Sequence, residues 1–133
     1  MNKLKEFIKL EGIDTIKVSS DQIVDAQKTL NLAFDDAYIA YLNTCGQLEY
    51  EYLEFYGLGV PDHSHVNVIK VYKELRESLS YPKQSLPLQS LGDGHYALYD
   101  LITKKVIEWC EAGTVMPLQD NLEDYLLKIL KEV

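Results

Sequence analysis

The texture of the chain changes at Leu86. From there LPLQSL, HYALYDL, VIEWCE and GTVMPL follow one another as short runs of alternating character. Between them stand the turn Gly92-Asp93-Gly94 and the polar turn Thr103-Lys104-Lys105. Period-two alternation marks a strand, and connections this short can only join antiparallel neighbours. Residues 86–118 are therefore expected to form an antiparallel meander, which constrains the fold more than any other feature.

Upstream, the period is mostly helical. Leu4, Phe7 and Ile8 form a short amphipathic helix that Gly12 can end. A strand-like IDTIKV follows. Ser19 then opens a second helix, with Gln22 three residues on in a capping-box arrangement, and Ile23, Ala26 and Leu30 on its buried side. Asp35 and Asp36 suit the positive end of a third helix with the stripe Tyr38, Tyr41, Leu42, Cys45, ended by Gly46. Val66, Ile69, Tyr72, Leu75 and Leu79 mark a fourth, closed by Pro82, and Leu122, Tyr125, Leu126, Ile129 and Leu130 a last one from about Asp120. Helices and strands are segregated, so the expected class is α+β and not a parallel nucleotide-binding sheet. The 133 residues carry no linker or internal repeat, which predicts a single domain over residues 1–133.

Between the third and fourth helices lies QLEYEYLEFYGLG, Gln47 to Gly59. Its alternation predicts one strand, with Gln47, Glu49, Glu51, Leu53 and Phe55 on one face. Leu48, Tyr50, Tyr52, Glu54, Tyr56 and Leu58 would take the other. Carboxylates sit beside large aromatics on both faces, which suits a surface that binds something.

Charge supports that reading. Residues 18–62 hold eight carboxylates and one lysine, most of the net charge of −8. Phosphate binders carry the opposite sign, so nucleic acid is not an expected partner; a cationic partner is. No apolar run reaches the roughly 20 residues of a spanning helix, and the N-terminal stretch lacks a signal peptide's apolar core. Neither a membrane nor a secretory route is expected. Cys45 and Cys110 make no disulfide framework and fit a reducing compartment, the cytoplasm.

Catalytic signatures are absent. Gly57-Leu58-Gly59 and Gly92-Asp93-Gly94 lack the context of a phosphate loop and read as turn glycines that supply positive φ. His63 and His65, with Asp62 nearby, would need His95 from a distant turn to approach a metal site. The free cysteines read as small core residues, Ser64 lacks a nucleophile elbow, and Asp35/Asp36 read as capping residues. The expectation is no enzyme and no cofactor.

The order of signals resembles one family. A helix in LNLAFDDAYIAYLNTCG, a strand ending FYGLG, the helix VIKVYKELRESL, the segment LPLQSLGDGHYALYDLITKKVIEW and a final NLEDYLLKIL resemble the SUKH superfamily over Ser19 to Leu130. Tyr38, Tyr41, Leu42 and Gly46 stand where that family has its second-helix aromatics, leucine and glycine, and Asp35 where it has a proline. Gly57-Leu58, the Gly92 to Asp100 segment and Trp109 match further steps.

That superfamily's fold is the one of the fungal Smi/Knr cell-wall regulators and of many bacterial immunity proteins. The resemblance implies a twisted, mainly antiparallel sheet with helices packed around it. It also implies a protein that neutralises a basic toxin domain, such as a nuclease, without catalysis; a monomer or weak homodimer is the expected state. A general interaction module of the same fold is the alternative, and a ligand-binding or enzymatic domain built on the three histidines a third. On the immunity reading, Glu49, Glu51 and Glu54 steer and pair with the toxin and Tyr50, Tyr52 and Tyr56 supply contact area. Asp62, Asp93, His95 and Tyr96 are further contacts.

Overall fold

A computed structural model describes residues 1–133. Five helices, α1 (Asn2–Glu11), α2 (Ser20–Leu30), α3 (Asp36–Cys45), α4 (Val68–Leu75) and α5 (Leu122–Lys131), surround two antiparallel sheets. The larger has the order β3 (Ser85–Gly92), β4 (His95–Asp100), β5 (Lys105–Cys110), β6 (Val115–Pro117), the meander expected from local alternation. The smaller is a hairpin of β1 (Leu48–Tyr50) and β2 (Leu53–Phe55). The class is α+β, as read from the sequence.

Local signals account for the helices. Ser19 accepts from the Gln22 N–H and Gln22 returns the bond to the Ser19 N–H at 2.8 Å, a complete capping box. Asp35 caps α3 through the Tyr38 N–H at 2.9 Å, and its second oxygen accepts from the Tyr99 hydroxyl on β4. One carboxylate therefore ends a helix and fastens it to the sheet. The stripe Tyr38, Tyr41, Leu42, Cys45 is buried as expected. Asn67 caps α4, which buries Val68, Val71, Tyr72 and Leu75. Of the expected α4 stripe Val66, Tyr72 and Leu75 are buried and Ile69 packs against the core, but the helix stops at Leu75, well before Pro82, and Leu79 beyond it is 98% exposed.

Thirty-five buried apolar residues form one core, with Trp109, Tyr38, Tyr41, Tyr99 and Phe55 the largest fully buried side chains. Helix α5 packs on α1, α3 and β5, and α4 on α2 and β3. Tyrosine suits this interior because its ring packs while its hydroxyl finds a partner. Tyr41 donates to the Tyr56 carbonyl at 2.7 Å, Tyr72 to that of Lys83 at 2.8 Å and Tyr81 to that of Ser85 at 2.9 Å.

Two strand expectations are corrected. IDTIKV forms no strand; its Ile16 N–H goes to the Cys45 carbonyl at the end of α3 instead of to a ladder. Gln47 to Gly59 is two strands and not one, because the chain reverses at Glu51-Tyr52. The reversal changes the faces. Leu48 pairs with Phe55 and Tyr50 with Leu53, so all four share a side, while Glu49 and Glu54 face each other on the opposite side.

Gly57 is also not the positive-φ turn residue expected, although Gly59, Gly92 and Gly94 are. It is needed for close approach: a Cβ there would lie 2.0 Å from the Gly46 carbonyl oxygen. At this crossing the Leu58 N–H bonds Gly46 and the Gly57 N–H bonds Val66, both at 2.9 Å.

Candidate functional site: an acidic hairpin between two clefts

The β1–β2 hairpin stands out from the core on well-anchored ends. At its base the buried Gln47 side chain donates to the Phe55 carbonyl at 2.9 Å. At its exit the Tyr56 N–H reaches across to the Leu88 carbonyl of β3 at 2.8 Å. Leu88 is an extra residue in β3, skipped by the register between Pro87 and Gln89. A second irregularity falls between Ser90 and Gly92. Bulges re-aim side chains, and here three consecutive residues, Gln89, Ser90 and Leu91, line the same cleft.

That cleft, about 580 Å³, lies between the hairpin, β3, β4 and the end of α5. Tyr52, Glu54, Tyr56 and Tyr96 from the expected set line it, together with His65, Ile129 and Glu132. Tyr52 at the hairpin tip is 79% exposed. Tyr56 is buried, and burial, with Tyr96, Glu54 and Glu74 nearby, pushes its phenol up to about 12. Burial and then Glu111 and Glu74 raise Tyr96 as well. Both are neutral hydroxyls near pH 7, suited to contact and hydrogen bonding.

On the other side of the hairpin a smaller cleft, about 320 Å³, is lined by Glu49, Tyr50 and Glu51 with Glu11 and Asp14. Tyr50 packs edge-on against Phe7 and donates to Glu11 at 3.2 Å. Neither cleft has a lysine or arginine in its lining. Like charges placed directly across a hairpin repel. Glu54 is hydrogen-bonded to His65 Nε2 at 2.9 Å, whereas Glu49 has no ion-pair partner.

The structure brings seven of the ten expected residues to this hairpin and its clefts: Glu49, Tyr50, Glu51, Tyr52, Glu54, Tyr56 and Tyr96. Asp62 lines a separate depression with Asp25 beside α2, and Asp93 sits exposed on the β3–β4 turn. His95 lies elsewhere too. Strand alternation turns it away from its neighbour Tyr96, and its Nδ1 meets Glu108 at 3.0 Å in a small pocket with Cys110, Thr114 and Met116.

The three histidines therefore do not share a pocket, since His65 and His95 line different ones and His63 neither. No group of three or more His, Cys, Asp or Glu side chains is placed to hold a metal ion. Cys45 is a core thiol, pushed up to about 12 by burial. No helix is long and apolar enough to cross a membrane.

Sequence reading missed Gln89 and Glu132. Each left a faint signal: a polar residue inside the apolar run LPLQSL, and an acid at the C-terminal end of α5, where the helix dipole favours a cation.

The family SUKH_5, described as SMI1-KNR4 cell-wall, matches residues 1–131. The chain belongs to this SUKH family. The match extends the resemblance beyond Ser19 to include α1. Among solved structures, a protein from Pseudomonas syringae pv. tomato superposes with a TM-score of 0.81 over 100% of both chains, at 17% identity. That likeness establishes the fold alone. No curated protein matches.

Proposed function

We propose that this SUKH-family protein is an immunity protein. It binds the toxic C-terminal domain of a polymorphic toxin, a nuclease, and blocks it by contact without catalysis. The observation that carries the reading is the hairpin: Glu49, Glu51 and Glu54 stand beside the exposed Tyr52, between two clefts lined by no lysine or arginine. A nuclease grips phosphate with lysine and arginine, so its working face has the complementary charge. Such fields raise association above the neutral range of ~10⁵–10⁶ M⁻¹s⁻¹. Tyrosine adds contact area at low entropic cost. Two free cysteines fit action in the cytoplasm.

The test is capture from lysate of the protein's own source at low and moderate salt, with mass spectrometry of what is retained. A basic toxin fragment is expected, held less well as salt rises. The triple variant Glu49→Lys/Glu51→Lys/Glu54→Lys should lose capture by about tenfold or more at low salt. Unchanged neutralisation by that variant would sink the steering role. Retention of a regulatory protein in place of a toxin would favour an interaction module of the same fold, as the family's cell-wall description suggests.

A further inference from the structure

The larger cleft contains more than charge steering uses. Gln89 on its floor is 4% exposed, and its Nε2 donates to the Tyr125 hydroxyl at 2.7 Å. The carbonyl Oε1 of the same amide accepts no hydrogen bond within the chain. It is not one of the chain's buried unpaired atoms, so it is open through the cleft and free to accept from an arriving donor. Above it, Glu54 and Glu132 supply carboxylates, and Tyr52, Tyr56 and Tyr96 supply aromatic surface. Glu74 and Glu111 add to the negative field at the Tyr56 and Tyr96 hydroxyls. The one lining group able to carry positive charge is His65, exposed and resting on Glu54.

Acceptors at floor and rim with ring surface beside them describe a flat cation that only donates. Among protein side chains that is arginine: five donors, no acceptor, and a planar head that stacks on aromatic rings. Lysine offers a point charge with no plane to stack. We propose that this cleft is a socket for one arginine side chain of the protein partner, an inference that rests on the reading above. The arriving guanidinium displaces His65 from Glu54 and donates to the Gln89 carbonyl.

The experiment titrates the isotopically labelled full chain with N-acetyl-arginine amide, and separately with its lysine and citrulline counterparts, following backbone amide signals. Arginine should shift Tyr52, Ser90, Leu91 and Tyr96 in a saturable way, several-fold more than citrulline, its neutral isostere. Glu54→Gln/Glu132→Gln should abolish the response. Glu77→Gln, an exposed carboxylate outside both clefts, should leave it intact. Equal shifts from citrulline or from lysine, or shifts confined to the Glu11–Asp14 side, would overturn the socket. Because no partner is needed, this titration can fail while toxin capture succeeds, and the socket then falls alone. A saturating response in the cleft with no toxin captured would uphold the ligand class and sink the toxin reading.

Discussion

The molecule contains two hairpins with two-residue connections, and they are built on opposite terms. At β3–β4 the connection is Asp93-Gly94, with φ of 52° and 76°. This is the dipeptide that a primed turn asks for. At β1–β2 the connection is Glu51-Tyr52, with Glu51 held at φ 54° and Tyr52 turned out to solvent. A bulky residue in the left-handed region costs roughly 1–2 kcal/mol. The first hairpin is stable from its tip; the second is held by its ends and displays its tip. A strained, exposed tip on a firm base suits a surface made for contact.

The most severe way to break this comparison is to remove the anchors with alkali. Burial raises the Tyr41 phenol, which holds the hairpin exit, well above its ordinary value, and raises Tyr56 and Cys45 to about 12. A group whose folded pKa is raised contributes stability that is complete below its unfolded value and is lost as pH rises toward the folded one. Stability should therefore hold to about pH 9, fall steeply toward pH 12, and end in unfolding. Thermal melts across that range would show it, and a flat profile would mean that these phenols and thiols are not buried.

Next in size is Gly57→Ala. Its Cβ would meet the Gly46 backbone, which cannot swing aside as a side chain could. A loss of roughly 3 kcal/mol or more is expected in denaturant titrations. A loss below about 1 kcal/mol would show that the hairpin's ends are not where it is held.

The smallest effects come at the tips, and there the signs should differ. Gly94→Ala, at positive φ in the good turn, should cost about 1–2 kcal/mol. Glu51→Gly should instead gain about 1 kcal/mol by relieving the left-handed glutamate. It should also weaken partner capture. Destabilisation by Glu51→Gly would dissolve the contrast between the hairpins.

Most of the fold was legible because it rests on local signals. The capping box at Ser19, the buried stripe of α3 and the four-stranded meander each follow from residues close in the chain. The β1–β2 reversal was not legible, since Glu51-Tyr52 is no turn dipeptide and the alternation reads straight through it. IDTIKV misled for the converse reason: it alternates like a strand, but its Ile16 N–H is taken by the last residue of α3. The candidate site divides in the same way. Tyr52, Glu54, Tyr56 and Tyr96 announced themselves by composition. Gln89 and Glu132 join them only because β3 and α5 converge in space, which no window of sequence contains.

The extra residue at Leu88 has a consequence for how such a protein could change partner. A bulge bends its strand and re-aims the side chains beside it. Losing Leu88 would leave Pro87 and Gln89 on their present partners in β4 but remove the bend that sets how Gln89, Ser90 and Leu91 meet the cleft, though Leu88 itself is buried and does not line it. A single codon lost at Leu88 would therefore reshape the recognising cleft from within the core, without changing any residue that lines it.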